Sequence, residues 1–233
     1  MKHRHLLPLL AIVAALLPPA AASAAVTEIA PLGTNTAGCP GFAEKDCGIL
    51  VVRQTGFQAK VGTTRAFTTA KTSGHVVGWS VSLVSVAASK VKEVNDKYGG
   101  APRAAIVILA PLGKSKFKVV QKGPLEDLTK YLGTTPTFAL PTALPIKPGQ
   151  VVGITIPTWA PLLQLGLGSD TSWRSSKPLK ESVEKDYRPQ RALVGTNTDA
   201  SFAALYQRAR MAYSAVMIPT PTPAKSKKTK KSK

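Results

Sequence analysis

Between His75 and Val84 the chain alternates: Val77, Trp79, Val81 and Leu83 are apolar, whereas Gly78, Ser80 and Ser82 are small or polar. Side chains along a β-strand point to opposite faces in turn, so a period of two predicts a strand with one face on a core. Arg103 to Leu109 adds a second constraint. Its residues Ala105, Ile106, Val107, Ile108 and Leu109 leave no polar face, which predicts a central strand covered on both sides. Ser115 to Gln121 sets Phe117 and Val119 against Lys116 and Lys118, a half-solvated pattern suited to a sheet edge, where lysines discourage further pairing. Pro148-Gly149 fits the central positions of a type II turn joining Leu144–Ile146 to Val151–Ile156. Weaker strand patterns occur at Ile49–Gln54, Arg65–Thr69, Pro136–Leu140 and Leu162–Leu167. Many short strands separated by turn residues predict an all-β domain of two packed sheets, a β-sandwich.

Two segments depart from this rhythm. Ala87, Val91, Val94 and Tyr98 recur at helical spacing, and Gly99-Gly100 can end the turn in a left-handed cap, so a short helix is expected in a crossover. From Ala200 to Met217, Phe202, Leu205, Tyr206 and Ala209 suit a helix, while Met211, Tyr213, Ala215 and Met217 alternate as in a strand. Pattern alone leaves both open.

At the amino terminus, cationic Met1–His5, the apolar run Leu6–Leu17 and the small residues Ala22-Ser-Ala24 are the three parts of a secretory signal, expected over residues 1–24. The run is too short to span a bilayer, and no later stretch reaches the required apolar length, so the mature chain is expected to lack a transmembrane segment. Export permits disulfides, and Cys39 and Cys47 are expected to pair within an irregular Gly- and Pro-rich lead-in over residues 25–48. The sandwich domain is then expected over residues 49–218, with an exposed loop from Pro178 to Thr198. Residues 219–233 follow as a disordered Pro/Thr/Lys tail.

The chain carries a net charge of +19. This is not only a tail effect: without Lys2, Arg4 and the lysines at 225, 227, 228, 230, 231 and 233, cations still well outnumber acids. Such a field attracts polyanions, which outside the cytoplasm include anionic wall polymers and acidic glycans. A general solubility role is the plainer alternative.

The runs Thr72–Leu83, Leu132–Leu140 and Val152–Pro161 resemble secreted proteins of unknown function from high-GC soil bacteria. The resemblance extends over about Cys47–Ser175, and implies a jelly-roll-like β-sandwich without implying an activity. It also favours a closing strand over Leu205–Ile218. Relatives of this kind carry additional cysteines in the region matching Pro178–Ala204; this chain has none there.

Motifs for catalysis are sparse. His75 is the only histidine beyond the leader, and its odd position places it at the start of the apolar face of the Trp79 strand, where a structural hydrogen-bonding role is the ordinary one. Gly78–Ser82 imitates a nucleophile elbow but has serine where its last glycine belongs and lies within a strand. Gly113-Lys-Ser115 ends like a phosphate-binding loop without the first glycine, and reads as a hairpin turn. Glu44 with Asp46, or Glu93 with Asn95 and Asp96, could face calcium, but neither has a known loop spacing, and no metal or other cofactor is expected.

Glycan binding needs aromatic rings open to solvent. Trp79 belongs to a core; Trp159 between Pro157 and Pro161, and Trp173 beside Arg174, occupy loop-like contexts and form a candidate ligand-facing cluster. Tryptophans in such places also lock loops onto sheets. An aromatic content of 6% gives none of the interleaving that single-stranded nucleic-acid binders use, so nucleic acid is not the expected partner. The resulting expectation is a secreted or wall-associated, non-catalytic binding or structural protein held by anionic wall polymer, its lysine tail contributing. The alternatives are a glycan-active hydrolase or lyase and a purely structural envelope component.

Overall fold

The computed structural model describes residues 25–38, 49–176 and 195–221. The expected leader, Cys39, Cys47, most of the loop from Pro178, and the lysine tail lie outside the described residues. In order come β1 (Thr27–Ile29), β2 (Leu50–Val61), β3 (Thr64–Arg65), β4 (Gly74–Val81) and the helix α1 (Ala88–Tyr98). Next are β5 (Arg103–Gly113), β6 (Lys116–Lys122), β7 (Glu126–Asp127), β8 (Thr137–Ile146), β9 (Val151–Pro161) and β10 (Leu163–Gln164). The last five are β11 (Ser172–Ser175), β12 (Asp199–Ser201), β13 (Ala204–Gln207), β14 (Arg210–Met211) and β15 (Tyr213–Pro219). Among the described residues no helix is long and apolar enough to cross a membrane.

The strands form an all-β sandwich. A small sheet runs β1-β15-β4-β8, and a large one runs β12-β6-β5-β9-β2-β11-β13. Between them Val76, Trp79, Val81, Ala215 and Met217 of the small sheet meet Val51, Ile106, Ile108, Val152, Ile154 and Ile156 of the large one. Burying each large side chain contributes about 1.5–3 kcal/mol. As expected of a central strand, β5 lies between β6 and β9, with Ala104 to Leu109 wholly buried. Its other face, through Val107 and Leu109, enters a second cluster with Phe57, Val119, Val151 and Phe202. Phe57, Phe117 and Phe202 close that cluster as a trio of rings, with centroids 5.0 to 5.7 Å apart.

The helix crosses from β4 in one sheet to β5 in the other, with Val91, Val94 and Tyr98 half-buried. It ends where Gly99 takes φ +82° and donates its N–H to the Asn95 carbonyl at 2.9 Å. The Lys147–Gln150 turn is also as expected: Gly149 has φ +81°, and Gln150 N–H donates to Lys147 O at 3.1 Å. It is a corner rather than a hairpin, because β8 belongs to the small sheet and β9 to the large one.

Several expectations need correction. In β4 both flanking ladders shift register around Val77, so Val76 rather than Val77 joins Trp79 and Val81 inside. The bulge restarts the alternation, and His75 is consequently exposed instead of facing the core. The patterns at Arg65–Thr69 and Leu162–Leu167 yield only the two-residue strands β3 and β10. Leu205–Ile218 is strand, not helix, but Arg208 at φ +58° interrupts it, and β13, β14 and β15 pair with β11, β10 and β4 in turn. The lead-in is not wholly irregular: β1 pairs with β15, and Ile29, Ala30 and Leu32 are buried.

One buried amide ties β2 to β11 and β14. Gln58 in β2, 1% exposed, donates from Nε2 to Ser172 O and to Lys60 O, each at 3.0 Å, and accepts the Met211 N–H at 2.8 Å. Gln58→Leu strands those groups in an apolar setting and should cost about 2–4 kcal/mol, read as a lower urea midpoint with an unchanged slope. An unaltered midpoint would show that the amide joins nothing. At the β5–β6 hairpin the central residues Lys114 and Ser115 both have positive φ, 47° and 60°, the type I′ geometry that favours Asn-Gly. Ser115→Gly should therefore raise stability by about 0.5 kcal/mol or more in the same assay.

Candidate ligand-binding cleft

The tryptophans expected to face ligand do not. Trp159 is fully buried, and its Nε1 donates to Asn95 Oδ1 at 2.9 Å and to Gly100 O at 3.1 Å, fastening α1 to β9. Trp173 is 2% exposed within the main core and stacks on Tyr206, centroids 4.3 Å and planes 14° apart. Arg174 turns to the backbone, donating from Nη1 to Phe202 O at 3.1 Å and Ala203 O at 3.4 Å. All three hold segments against the large sheet, and neither indole offers a face to a sugar ring. Proline-flanked and polar surroundings suggested exposed loops, but these residues lie in β9 and β11, strands whose neighbours cover them.

The remaining polar candidates disperse as well. Gly78–Ser82 runs through and just beyond β4, with Trp79 at the core, and Gly113-Lys-Ser115 is the hairpin turn expected of it. On α1, Lys90 pairs with Glu93 and Lys92 with Asp96, each at 2.8 Å, while Asn95 is engaged by Trp159. The hydrogen bond from Lys90 holds the Glu93 carboxyl below its ordinary range. Glu44 and Asp46 lie outside the described residues. Among the described residues no group of three acids, histidines or cysteines could hold a metal ion.

A cleft of about 300 Å³ opens instead beside the amino-terminal strand. One wall is Thr27 to Pro31, the other Thr64 to Phe67 with Thr69, Lys71 and Thr72, and Met217 of β15 completes it. Local folding places these residues. β2 turns into β3, so that Lys60 faces Arg65, and the chain then leaves the sheet at Ala66, where φ is +52°. Backbone hydrogen bonds from Thr69 to Ala66 and from Gly149 to Ala70, both 2.9 Å, hold the following segment against the Lys147–Gln150 corner. The opposite wall is held by β1 pairing and by Arg210, whose Nη2 donates to Pro31 O at 2.6 Å.

Arg210 is unusual in its surroundings. It is 3% exposed, lies 5.0 Å from the centre of the Phe67 ring, and its Nε has no hydrogen-bond partner. Burial pushes its pKa below the ordinary guanidinium value. No sequence signal marks this region, because neither the lone Phe67 nor the scattered cations Arg65 and Lys71 form a motif. Only the return of the lead-in onto β15 brings them to one place. Comparison with protein-family models, with curated proteins and with solved structures finds no match to this chain.

The burial of all three tryptophans has a direct optical consequence. The native protein should emit on the short-wavelength side of free tryptophan and resist acrylamide, with full quenching appearing only on unfolding. Solvent-like quenching in the folded state would contradict the placement of Trp159 and Trp173.

Proposed function

We propose that this chain is a non-catalytic binding or structural protein of the cell surface, exported by its leader and held by anionic wall polymers. The observation that carries the reading is the positive charge left over when the acids are accounted for. Three of the described acids, Glu93, Asp96 and Asp199, sit in ion pairs with Lys90, Lys92 and Lys118. Exposed Arg65 and Lys71 flank the cleft, Lys114 and Lys116 crown the hairpin, and the sequence ends in the lysine run 225–233. Binding fits the cleft better than hydrolysis by two carboxylates, because its lining contains one acid, Glu28, and His75 lies elsewhere.

Attraction of this kind is screened within about 8 Å at physiological salt and more tightly above it. The full chain should stay on wall preparations at low salt and be released by moderate salt. Replacing Lys225, Lys227, Lys228, Lys230, Lys231 and Lys233 with glutamine should lower the salt needed for release. Retention indifferent to both salt and tail charge would defeat the reading.

A further inference from the structure

Resting on that reading, we propose that the cleft between β1 and the Ala66–Thr72 segment receives one acidic sugar unit of such a polymer, with Arg65 and Lys71 holding its carboxylate. At about 300 Å³ it lies at the small end of ligand sites, suited to one ring rather than a long segment. Its lining has the two surfaces that a sugar needs. Half-buried Phe67, backed by the largely buried Ile29 and Met217, offers apolar contact for the C–H face of a pyranose, and Thr69 and Thr72 bring hydroxyls that both donate and accept. Arg65 can grip a carboxylate with two parallel N–H groups, and Lys71 adds a point charge.

Arg210 is the second, independent observation. It forms no ion pair among the described residues, its Nε is unpartnered, and it stands directly behind two lining residues, Pro31 and Phe67. A buried cation without a counter-charge raises the potential on its side of the molecule, and an anion arriving in the cleft offsets part of that cost. Ala30 and Ala66, on opposite walls, both hold left-handed backbone, φ +57° and +52°, a conformation unfavourable for a residue with a Cβ. Strain of this sort gathers where a structure fixes a site. Glu28 works against a carboxylate from the same lining, so the site gives its own internal control.

The test is calorimetric titration of the full chain with three probes: an oligogalacturonate trimer, a neutral galactose trimer and a short glycerol-phosphate oligomer. The galacturonate trimer should bind one to one. Arg65→Gln with Lys71→Gln should weaken it about tenfold or more, Glu28→Gln should tighten it, and the glutamine-tail variant should leave it unchanged. The three altered side chains are exposed, so an unchanged urea midpoint verifies that each variant is folded. Equal binding of the neutral trimer, equal or tighter binding of the glycerol phosphate, or full affinity in the double variant would each overturn the proposal. If the galacturonate trimer fails to bind while wall retention remains salt-sensitive, the cleft assignment falls and polymer retention stands. Trimer binding together with salt-indifferent retention would uphold the cleft and remove polymer retention.

Discussion

The structure depends on a strand pair that is buried on both faces. β5 and β9 pair through Ala105 to Leu109 and Val151 to Thr155, and their side chains divide between the core of the sandwich and the cluster of three phenylalanines outside it. Apolar side chains on both sides of one sheet cannot be satisfied by a single partner layer. The small sheet covers one side; Phe57, Phe117 and Phe202 cover part of the other, and α1 is fastened over β9 by Trp159. Much of the aromatic content is thereby taken up in covering the sheets. Phe67 remains half-buried where the lead-in returns beside β15, and there the cleft forms.

The sandwich was legible in the sequence for a physical reason: a period of two and a doubly apolar run are direct imprints of half-buried and fully buried strands. Turn chemistry was legible too, since Gly99 and Gly149 adopt the positive φ that their neighbours' patterns required. The features that were not legible depend on a register defect or on distance in sequence. A bulge at Val77 leaves no mark in composition, yet it turns His75 outward. The short β10 shows that an apolar segment can be buried without a long ladder, since Leu162 and Leu163 both enter the core although only Leu163–Gln164 is strand.

The site was less legible than the fold. Trp159 and Trp173 stand out as large aromatic residues in polar, proline-rich contexts, and an indole there serves equally to stack on a sugar or to anchor a segment. Burial decided for anchoring, with Asn95 and Tyr206 as the partners. The cleft residues come from three parts of the chain, 27–31, 64–72 and 217, and no local spacing joins them. Charge was readable as a total but not as a distribution. That distribution separates a diffuse attraction for polyanions from a place where one acidic group can rest.

Hydrogen exchange resolved by residue tests the doubly covered pair most directly. The amides of Ile106, Val107, Ile108, Val152 and Ile154 should exchange only through global unfolding, with opening free energies equal to that from denaturant. Those of β1, a three-residue edge strand, should open more readily. Fast exchange in β5 and β9, with the strongest protection elsewhere, would show that these strands are not the covered centre and would contradict the account.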